Sequence, residues 1–555
     1  MTDCPPALAP HPRAPRAPGV LLLLALSACG GGGNSSTSSP APPPSPPPPV
    51  GSGTDVVTYK NDVARTGQNL TESVLTLANV NSSSFGKLRF LSTDGLVDAQ
   101  PLYLSGLTVS GSAHNVVFVE TENDSAYAFD SDSGTLLWQK SLLPAGEMPS
   151  DDRGCSQVTP TIGVTSTPVI DPSAGAHGVI YLVAMSIDAS QNYHQRLHAL
   201  DVTTGAEQFS GPMEIAATYP AAGGGLNTFD AGQYEERAAL LLLNGVIYTT
   251  WTSHCDAAPY TGWVIAYNSS TLAQTAVLNL AANSAGGGPS IWMAGGGPAA
   301  DSSGNIYVLT ANGVFDTTLN ANGFPSQGDY GNSFVKIATT GGTLSVADYF
   351  AMYNEVDESN GDVDLGSGGI LLLPDLTDSG GTTRHLAVGA GKDGNLYVVS
   401  RDSLGKFNAS NNDQIWQELS GALGAGIWST PAWFNGTVYY GPQGGALLAF
   451  KVTNALLGAT PASQSANSFG YPGTSPAISA NGTTNAIVWS YENAGSGAVL
   501  HAFDASNLAN ELYNSTQAAG GRDSFGSGNK FITPTIADGK VFAATTNGVA
   551  VFGLL

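Results

Sequence analysis

A run of carboxylates between residues 354 and 369 is the densest chemical signal in the sequence. The run reads NEVDESNGDVDLGSGG, in a chain of which only 11% is charged. Its acids lie within ten residues of one another: Glu355, Asp357, Glu358, Asp362 and Asp364. A hard cation such as Ca²⁺ requires several oxygen ligands of this kind. A hydrated acidic loop is the alternative interpretation, and the run by itself leaves both open.

Three further side chains are charged or carry an amide, as a polar binding site requires. Lys392 lies in GAGKDG, Asn312 in LTANG, and Asp256 follows His254 in TSHCDAAP. Lys-Asp-Gly and Asn-Gly are also common hairpin turns, so a turn role competes with a binding role at Lys392 and Asn312. GAGKDG satisfies GxGxxG but lies between two predicted strands, which excludes a dinucleotide site. The sequence contains neither HExxH nor GxSxG, so a zincin or serine hydrolase has no support.

Repeated strands must position these residues. One apolar strand followed by an Asp/Ser/Thr/Gly turn recurs at spacings of 49 to 71 residues. The repeats align on eight positions: Phe129, Leu200, Tyr267, Ile337, Val399, Phe450, Phe503 and Phe552. Such a spacing is typical of one propeller blade with its loops. The sequence therefore predicts an all-β, eight-bladed propeller of four-stranded antiparallel blades.

The last repeat ends without a fourth strand. GKLRFLSTDG (residues 86–95) precedes the first complete blade and can supply that strand, pairing residues 87–93 with 549–555. A ring closed in this way leaves no long exposed edge. Seven blades plus an irregular hairpin is the alternative.

The place of Asp362 and Asp364 in this repeat suggests their surroundings. They precede GSGG, which predicts the start of an inner strand where the backbone is crowded. Strand alternation would turn both carboxylates the same way, and a cation or Lys392 would then offset their repulsion. We expect Asp362 to face the axial funnel and the earlier acids, Glu355, Asp357 and Glu358, to be mostly solvated.

The N-terminal residues predict export and a membrane anchor. Arg13 and Arg16 precede VLLLLAL, an apolar stretch too short for a lasting membrane span. The LSAC that follows resembles a bacterial lipobox, which implies lipidation of Cys29, with a plain secretory signal as the alternative. We assign residues 1–29 to this signal, 30–53 to a Gly/Ser/Pro-rich tether and 54–555 to the propeller. The expected location is the bacterial cell envelope, in the periplasm or at the outer-membrane surface.

Two cysteines remain within the propeller, Cys155 and Cys255. An exported chain meets an oxidising compartment, so a disulfide on the ligand face is the first interpretation. The formal charge is −24. A nucleic-acid partner would need a basic face, and the sequence provides none.

The blade count and the segment YKNDVARTGQNLTESVLTLANVNSSSFGKLRF (residues 59–90) resemble the quinoprotein alcohol dehydrogenase-like propellers. Members of that family bind pyrroloquinoline quinone (PQQ) with Ca²⁺ or a lanthanide, or descend from proteins that do. The resemblance implies catalysis by Asp362 as base, a quinone contact by Lys392, and cofactor or metal contacts by Asp364. It further implies metal contacts by Asn312, Asp362 and Asp256, the last of which is about one residue out of register.

Departures from that family pattern shape the functional hypothesis. The adjacent Cys-Cys pair is missing, Gly361 replaces a tryptophan, and no CxxCH haem motif occurs. We therefore expect a monomeric, lipid-anchored propeller that binds a protein or a glycan without catalysis. The alternative is a PQQ- and metal-dependent alcohol or sugar dehydrogenase that passes electrons to a separate carrier.

Overall fold

The computed structural model describes residues 55–221, 224–283, 287–494 and 497–555. Within them the strands form eight four-stranded antiparallel blades, which confirms the predicted fold and blade count. The signal, Cys29 and the tether lie outside the described residues. Among those residues no helix has the length and apolar character that a membrane crossing requires.

The strands of blades 1 to 4 follow one another along the chain, from the inner to the outer strand. Blade 1 consists of Leu102–Val109, Ser112–Thr121, Ser125–Asp130 and Leu136–Ser141. Blade 2 consists of Val169–Asp171, Val179–Ile187, Tyr193–Asp201 and Met213–Glu214. Blade 3 consists of Leu241–Leu243, Val246–Ser253, Trp263–Asn268 and Gln274–Asn279. Blade 4 consists of Ala299–Ala300, Ile306–Leu309, Ser333–Ala338 and Ser345–Ala351.

Blades 5 to 8 repeat this order. Blade 5 consists of Leu371–Leu372, Leu386–Gly389, Leu396–Ser400 and Gln417–Leu419. Blade 6 consists of Ala432–Phe434, Thr437–Tyr440, Leu448–Thr453 and Ser463–Gln464. Blade 7 consists of Ala477–Asn481, Thr484–Asn493, Ala498–Asp504 and Glu511–Asn514. Blade 8 consists of Thr535–Ala537, Lys540–Thr545, Gly548–Leu554 and, from the N-terminal side, Phe85–Ser92.

Short additional elements occur beside the four main strands of the blades. The additional strands are Gln68–Asn69, Met148–Asp151, Thr161–Ile162, Thr218–Pro220, Leu226–Thr228, Tyr234–Glu235, Leu376–Thr377, Thr383–Arg384, Lys406–Phe407 and Leu456–Leu457. The described residues contain one α-helix, Glu355–Asn360. Their 3-10 turns are Met293–Gly295, Thr340–Gly342, Leu365–Ser367 and Ala519–Gly521.

The ring closes through the predicted strand exchange. Leu91 pairs with Val549 and Lys87 with Phe552 in antiparallel register. Phe85 packs against Trp489 of blade 7, with the ring centroids 5.4 Å apart. The chain segment that completes blade 8 therefore also joins it to blade 7.

Residues 56–69, which we call the axial segment, contact all eight blades. Five of its carbonyl groups accept hydrogen bonds from inner strands of separate blades: Val56 from Tyr103, Val57 from Ile170, Val63 from Ala300, Ala64 from Leu372 and Thr66 from Trp433. Three more hydrogen bonds connect the segment to the remaining blades. Gly67 O accepts from Ile478 N, the Asn69 side chain donates to Ile536 O, and the Arg65 side chain donates to Leu240 O. Because the inner strands surround the axis, a segment that contacts all eight blades lies at the centre of the ring.

Two buried cations fix the axial segment. The Nζ of Lys60 donates to the carbonyl groups of Thr430 and Pro431, at 3.1 and 3.0 Å. The Nε of Arg65 donates to Pro298 O at 2.9 Å. Both side chains are fully buried, and burial lowers the pKa of each. They tie the segment to blades 4 and 6 through carbonyl groups that would otherwise lack donors.

Candidate functional site

The backbone is crowded where blades 4 and 5 meet at the axis. A Cβ atom at Gly366 would lie 2.5 Å from the nitrogen of Ala311, and one at Gly391 would lie 2.4 Å from the Cα of Leu365. Lys392 N donates to Asp364 O at 2.8 Å. The small residues in GSGG and GAGKDG are therefore required for close approach, and this approach brings the candidate side chains together.

Four of the predicted site residues contact one another, and we call them the Asp–Lys cluster: Asn312, Asp362, Asp364 and Lys392. The Nζ of Lys392 lies 2.9 Å from Oδ1 of Asp362 and also contacts Asp364. Asn312 donates from its backbone to Asp364 at 2.7 Å and from its side chain to Asp362 at 3.0 Å. One ammonium and one amide thus bridge the two carboxylates.

Asp364 is the buried carboxylate of the pair, and Asp362 is the exposed one. The Asp364 side chain is 9% exposed and that of Asp362 70%. Strand alternation does not apply, because Asp362 has a left-handed backbone with φ of 57° and a 3-10 turn follows Asp364. Burial raises the pKa of Asp364, although the Lys392 charge offsets part of this effect. Burial alone would lower the pKa of Lys392, but contacts with Asp364 and Asp362 raise it.

The earlier acids lie in a short helix that buries two of them, so the prediction that these acids are mostly solvated was wrong. Within Glu355–Asn360, Glu355 is fully buried and Glu358 is 8% exposed, whereas Asp357 is exposed. Ser359 Oγ donates to Glu355 at 2.7 Å. Burial raises the pKa of Glu355 to about 8 and that of Glu358 to about 7. The helix therefore holds two acids that favour the protonated state over the mildly acidic range.

A cavity of about 80 Å³ lies beside the Asp–Lys cluster. Its charged lining residues are Arg237, Asp256, Asp364 and Lys392. Its aromatic lining residues are Trp292, Trp428, Tyr471 and Phe531. The structure thus places Asp256 at the same cavity as Asp364 and Lys392, although the hydrogen bonds of Asp256 come from Tyr260 at 3.2 Å and Trp292 at 3.3 Å.

Three of the aromatic residues form a continuous wall. The ring of Tyr471 makes edge-to-face contacts with Trp428 and Phe531, at centroid distances of 5.7 and 6.4 Å. The Cζ of Arg237 lies 4.8 Å from the Phe531 ring centroid. A guanidinium at this distance is attracted to the aromatic face. The wall therefore ends at a buried positive charge.

His254 belongs to the surroundings of Arg237. Its Nδ1 lies 3.3 Å from Oε2 of Glu235, and Nη1 of Arg237 lies 3.4 Å from Oε1 of the same glutamate. All three side chains are buried. Although burial raises the pKa of Glu235, its contacts with His254 and Arg237 outweigh that effect and keep the pKa below its usual value. Glu235 is therefore an ionised anchor behind the cavity.

Three non-glycine residues at the cavity have left-handed backbones. The φ angles are 51° at Asp256, 46° at Ala294 and 65° at Phe531. Each such conformation costs on the order of 1 to 3 kcal/mol and persists only where neighbouring structure enforces it. Strain of this kind concentrates at ligand sites, which supports a binding role for the cavity.

The predicted disulfide between Cys155 and Cys255 is present, with the two Cα atoms 5.6 Å apart. Cys155 lies in the connection from blade 1 to blade 2, and Cys255 lies in the turn between the second and third strands of blade 3. Asp256 follows Cys255 directly. The bond therefore anchors one side of the cavity wall.

Sequence reasoning missed Arg237 and the aromatic wall. A usable signal was present, because Arg237 and Trp428 each lie shortly before an inner strand, in ERAALLL and IWSTPAW. In a propeller those positions point toward the axis. Bulky or charged residues there, where most repeats have small ones, mark the lining of the axial cavity. The described ranges contain no group of three His, Cys, Asp or Glu side chains that could hold a metal ion.

Comparisons with known proteins support the fold. No protein-family model matches the chain, and no curated protein matches it in sequence. Among solved structures, it is similar to the quinohemoprotein alcohol dehydrogenase from Comamonas testosteroni, with a TM-score of 0.58 and 16% identity over 90% of this chain and 80% of that chain. It is also similar to a europium-containing methanol dehydrogenase, with a TM-score of 0.55 and 14% identity over 90% of this chain and 98% of that chain.

A third similar structure is the quinohemoprotein alcohol dehydrogenase ADHIIG from Pseudomonas putida HK5, with a TM-score of 0.54 and 13% identity over 90% of this chain and 80% of that chain. Since the identities are this low, the likeness establishes the propeller fold shared with quinoprotein dehydrogenases. It does not transfer their chemistry.

Proposed function

We propose that this protein is a non-catalytic binding propeller of the bacterial cell envelope, anchored by lipid at Cys29. Its partner, a glycan or a protein, would dock at the axial cavity beside the Asp–Lys cluster. The proposed tether, residues 30–53, would hold the propeller away from the membrane surface. The chain would act as a monomer, because blade 8 is closed by its own Phe85–Ser92 strand.

The contact of Lys392 with both Asp362 and Asp364 carries this proposal. In a metal-dependent site, paired carboxylates bind a cation that polarises a substrate oxygen. Here a side-chain ammonium occupies the position between them. The carboxylate that would serve as a general base is thus already bound to a cation of the chain itself.

The size of the cavity also supports a binding role without a cofactor. Cofactor and drug-sized ligands occupy pockets of roughly 300 to 1,000 Å³. The cavity beside Asp364 measures about 80 Å³, which does not fit PQQ, a tricyclic tricarboxylate. A protruding group of a larger partner fits this space better.

One observation favours a second candidate, a quinoprotein dehydrogenase. Asn312, Asp362, Asp364 and Lys392 converge, as the family resemblance implies for residues around PQQ and its metal. When bound, PQQ would supply two-electron oxidation of an alcohol. The residues that would hold it are these four, provided that Tyr471 and Trp428 moved to enlarge the cavity.

The absorbance spectrum separates the two candidates. The full chain is incubated with PQQ and either Ca²⁺ or a lanthanide, desalted and scanned, and alcohol oxidation is assayed with an artificial electron acceptor. We expect no retained quinone absorbance and no activity. The Asp362→Asn, Asp364→Asn double variant is the matched control for any retained absorbance. Stoichiometric PQQ that is retained by the wild type and lost by that variant would overturn the proposed function.

A further inference from the structure

Arg237 is a buried cation with unused hydrogen-bond donors. Its side chain is 2% exposed and lines the cavity. A guanidinium has five N–H donors. In the described part of the chain Arg237 makes one long hydrogen bond, 3.4 Å to Glu235, and its Nε has no partner. Because buried polar groups are almost always hydrogen-bonded, the spare donors indicate a ligand acceptor.

We infer that the cavity binds a sugar acid, with the ligand carboxylate paired to Arg237 and the sugar ring against the aromatic wall. This inference rests on the proposed function, since it names the ligand class of the same cavity. Carboxylates suit the planar fork of a guanidinium, which can donate two parallel hydrogen bonds. Lys392 cannot replace Arg237 in this role, because it is already bound to Asp362 and Asp364.

A second cation lies close to Arg237. The Nζ of Lys530 donates to the carbonyl group of Gln157 at 2.6 Å, and Gln157 lines the cavity. Burial lowers the pKa of Lys530, and the charge of Arg237 lowers it further. An incoming anion would relieve the repulsion between these two cations.

The carboxylates in the cavity wall favour a ligand with hydroxyl groups over a peptide C-terminus. Asp256 forms no ion pair among the described residues and accepts hydrogen bonds from Tyr260 and Trp292. An ionised carboxylate has about four acceptor sites, so Asp256 can still accept from a sugar hydroxyl. A peptide C-terminus offers one amide N–H beside its carboxylate, whereas a sugar acid carries several hydroxyl donors. A sugar acid satisfies both Arg237 and Asp256.

The size of the cavity determines how much of the ligand enters. A cavity of about 80 Å³ has room for several water-sized groups, since one water needs roughly 10 to 15 Å³ of such space. A carboxylate and its neighbouring carbon fit, and the ring would remain at the mouth. Tyr471, 47% exposed, is placed to contact it there. Aromatic rings offer a flat apolar surface for the C–H face of a sugar.

Titration calorimetry with the full chain tests this inference. The probes are D-glucuronate, D-glucose and N-acetylphenylalanine, the last as a model of a peptide C-terminus. We expect measurable binding of glucuronate, with glucose and N-acetylphenylalanine at least tenfold weaker. Arg237→Gln should weaken glucuronate binding at least tenfold, and Tyr471→Ala should weaken it severalfold. Tyr353→Ala, which removes a tyrosine of matching exposure outside the cavity, should change nothing.

Several results would overturn the inference. They are no glucuronate binding at millimolar concentration, equal binding of glucose, tighter binding of N-acetylphenylalanine, or wild-type affinity in Tyr471→Ala. If Arg237→Gln fails to fold, as judged by circular dichroism, Tyr471→Ala and the glucose comparison still decide the question. PQQ retention tests the proposed function independently of glucuronate binding, so a failure of one can be told apart from a failure of the other.

Discussion

The Nζ of Lys392 lies 2.9 Å from Oδ1 of Asp362 and also contacts the buried Asp364. The positive charge of this ammonium group offsets the repulsion between the two carboxylates, of which Asp364 is buried and Asp362 is exposed. A metal ion at this place would have to compete with the lysine for the same oxygens.

Lys392→Met should convert the Asp–Lys cluster into a weak cation site. Removing one partner of a buried ion pair leaves an uncompensated charge, so we expect a loss of about 3 kcal/mol in metal-free buffer. Millimolar Ca²⁺ or a lanthanide should reverse at least half of the decrease in melting temperature. Thermal unfolding with and without chelator measures this, and Lys451→Met, at an exposed lysine, is the control. A variant as stable as wild type without metal would contradict the prediction.

Arg65→Ala should destabilise the whole propeller. The substitution leaves the carbonyl groups of Pro298 and Tyr59 without their donor, and each unpaired buried group costs about 1 to 3 kcal/mol. We therefore expect a loss of about 3 kcal/mol or more in the free energy of urea unfolding. Arg384→Ala, at a partly exposed salt bridge with Asp378, should destabilise the protein much less than Arg65→Ala. Similar losses in the two variants would refute the anchoring role of Arg65.

Cys155→Ser should lower stability and loosen the cavity wall. The disulfide spans 100 residues, and the chain-entropy model gives a stabilisation of about 4 to 5 kcal/mol for a loop of that length. Mass spectrometry of unreduced peptides should detect the Cys155–Cys255 pair, and the variant should melt earlier. Reducing agent should bring the wild type to the level of the variant. Two free thiols in protein exported to the periplasm would disprove the bond.

Glu355→Gln should flatten the dependence of stability on pH. Burial raises the pKa of Glu355 from 4.5 to about 8, so the folded state binds the proton more tightly than the unfolded state. Its contribution is complete below pH 4.5 and is lost as pH rises through about 8. The free energy of urea unfolding should fall less in the variant between pH 5 and pH 9, by about 4 kcal/mol over the range. Asp357→Asn, at an exposed acid of the same helix, should leave the wild-type slope unchanged.

Much of the fold could be predicted from the sequence because each blade repeats the same local pattern. All eight aligned positions, from Phe129 to Phe552, lie in third strands. The exchange of the N-terminal strand into blade 8 followed from a missing fourth strand. Asn312, Asp364 and Lys392 were predictable because glycine-rich segments mark where backbones approach at the axis.

The remaining features depend on contacts between distant blades. Arg237 of blade 3 meets Phe531, just before blade 8, only after the ring has closed. The helix at Glu355 was missed because its acids are buried by neighbouring elements, and acidic composition alone favours exposure. Strand alternation does not apply at Asp362, because the inner strand starts only at Leu371.

The axial segment also affects when the protein can fold during its synthesis. Residues 56–69 are made early, yet their partners include Ile536 of blade 8, and Leu91 pairs with Val549. At roughly 5 to 20 residues per second, about half a minute to two minutes separates the first of these residues from the last. During that interval the inner strands and the edge of the unfinished ring have no lasting cover. The cover of the inner strands at the axis is therefore complete only when the last blade is available.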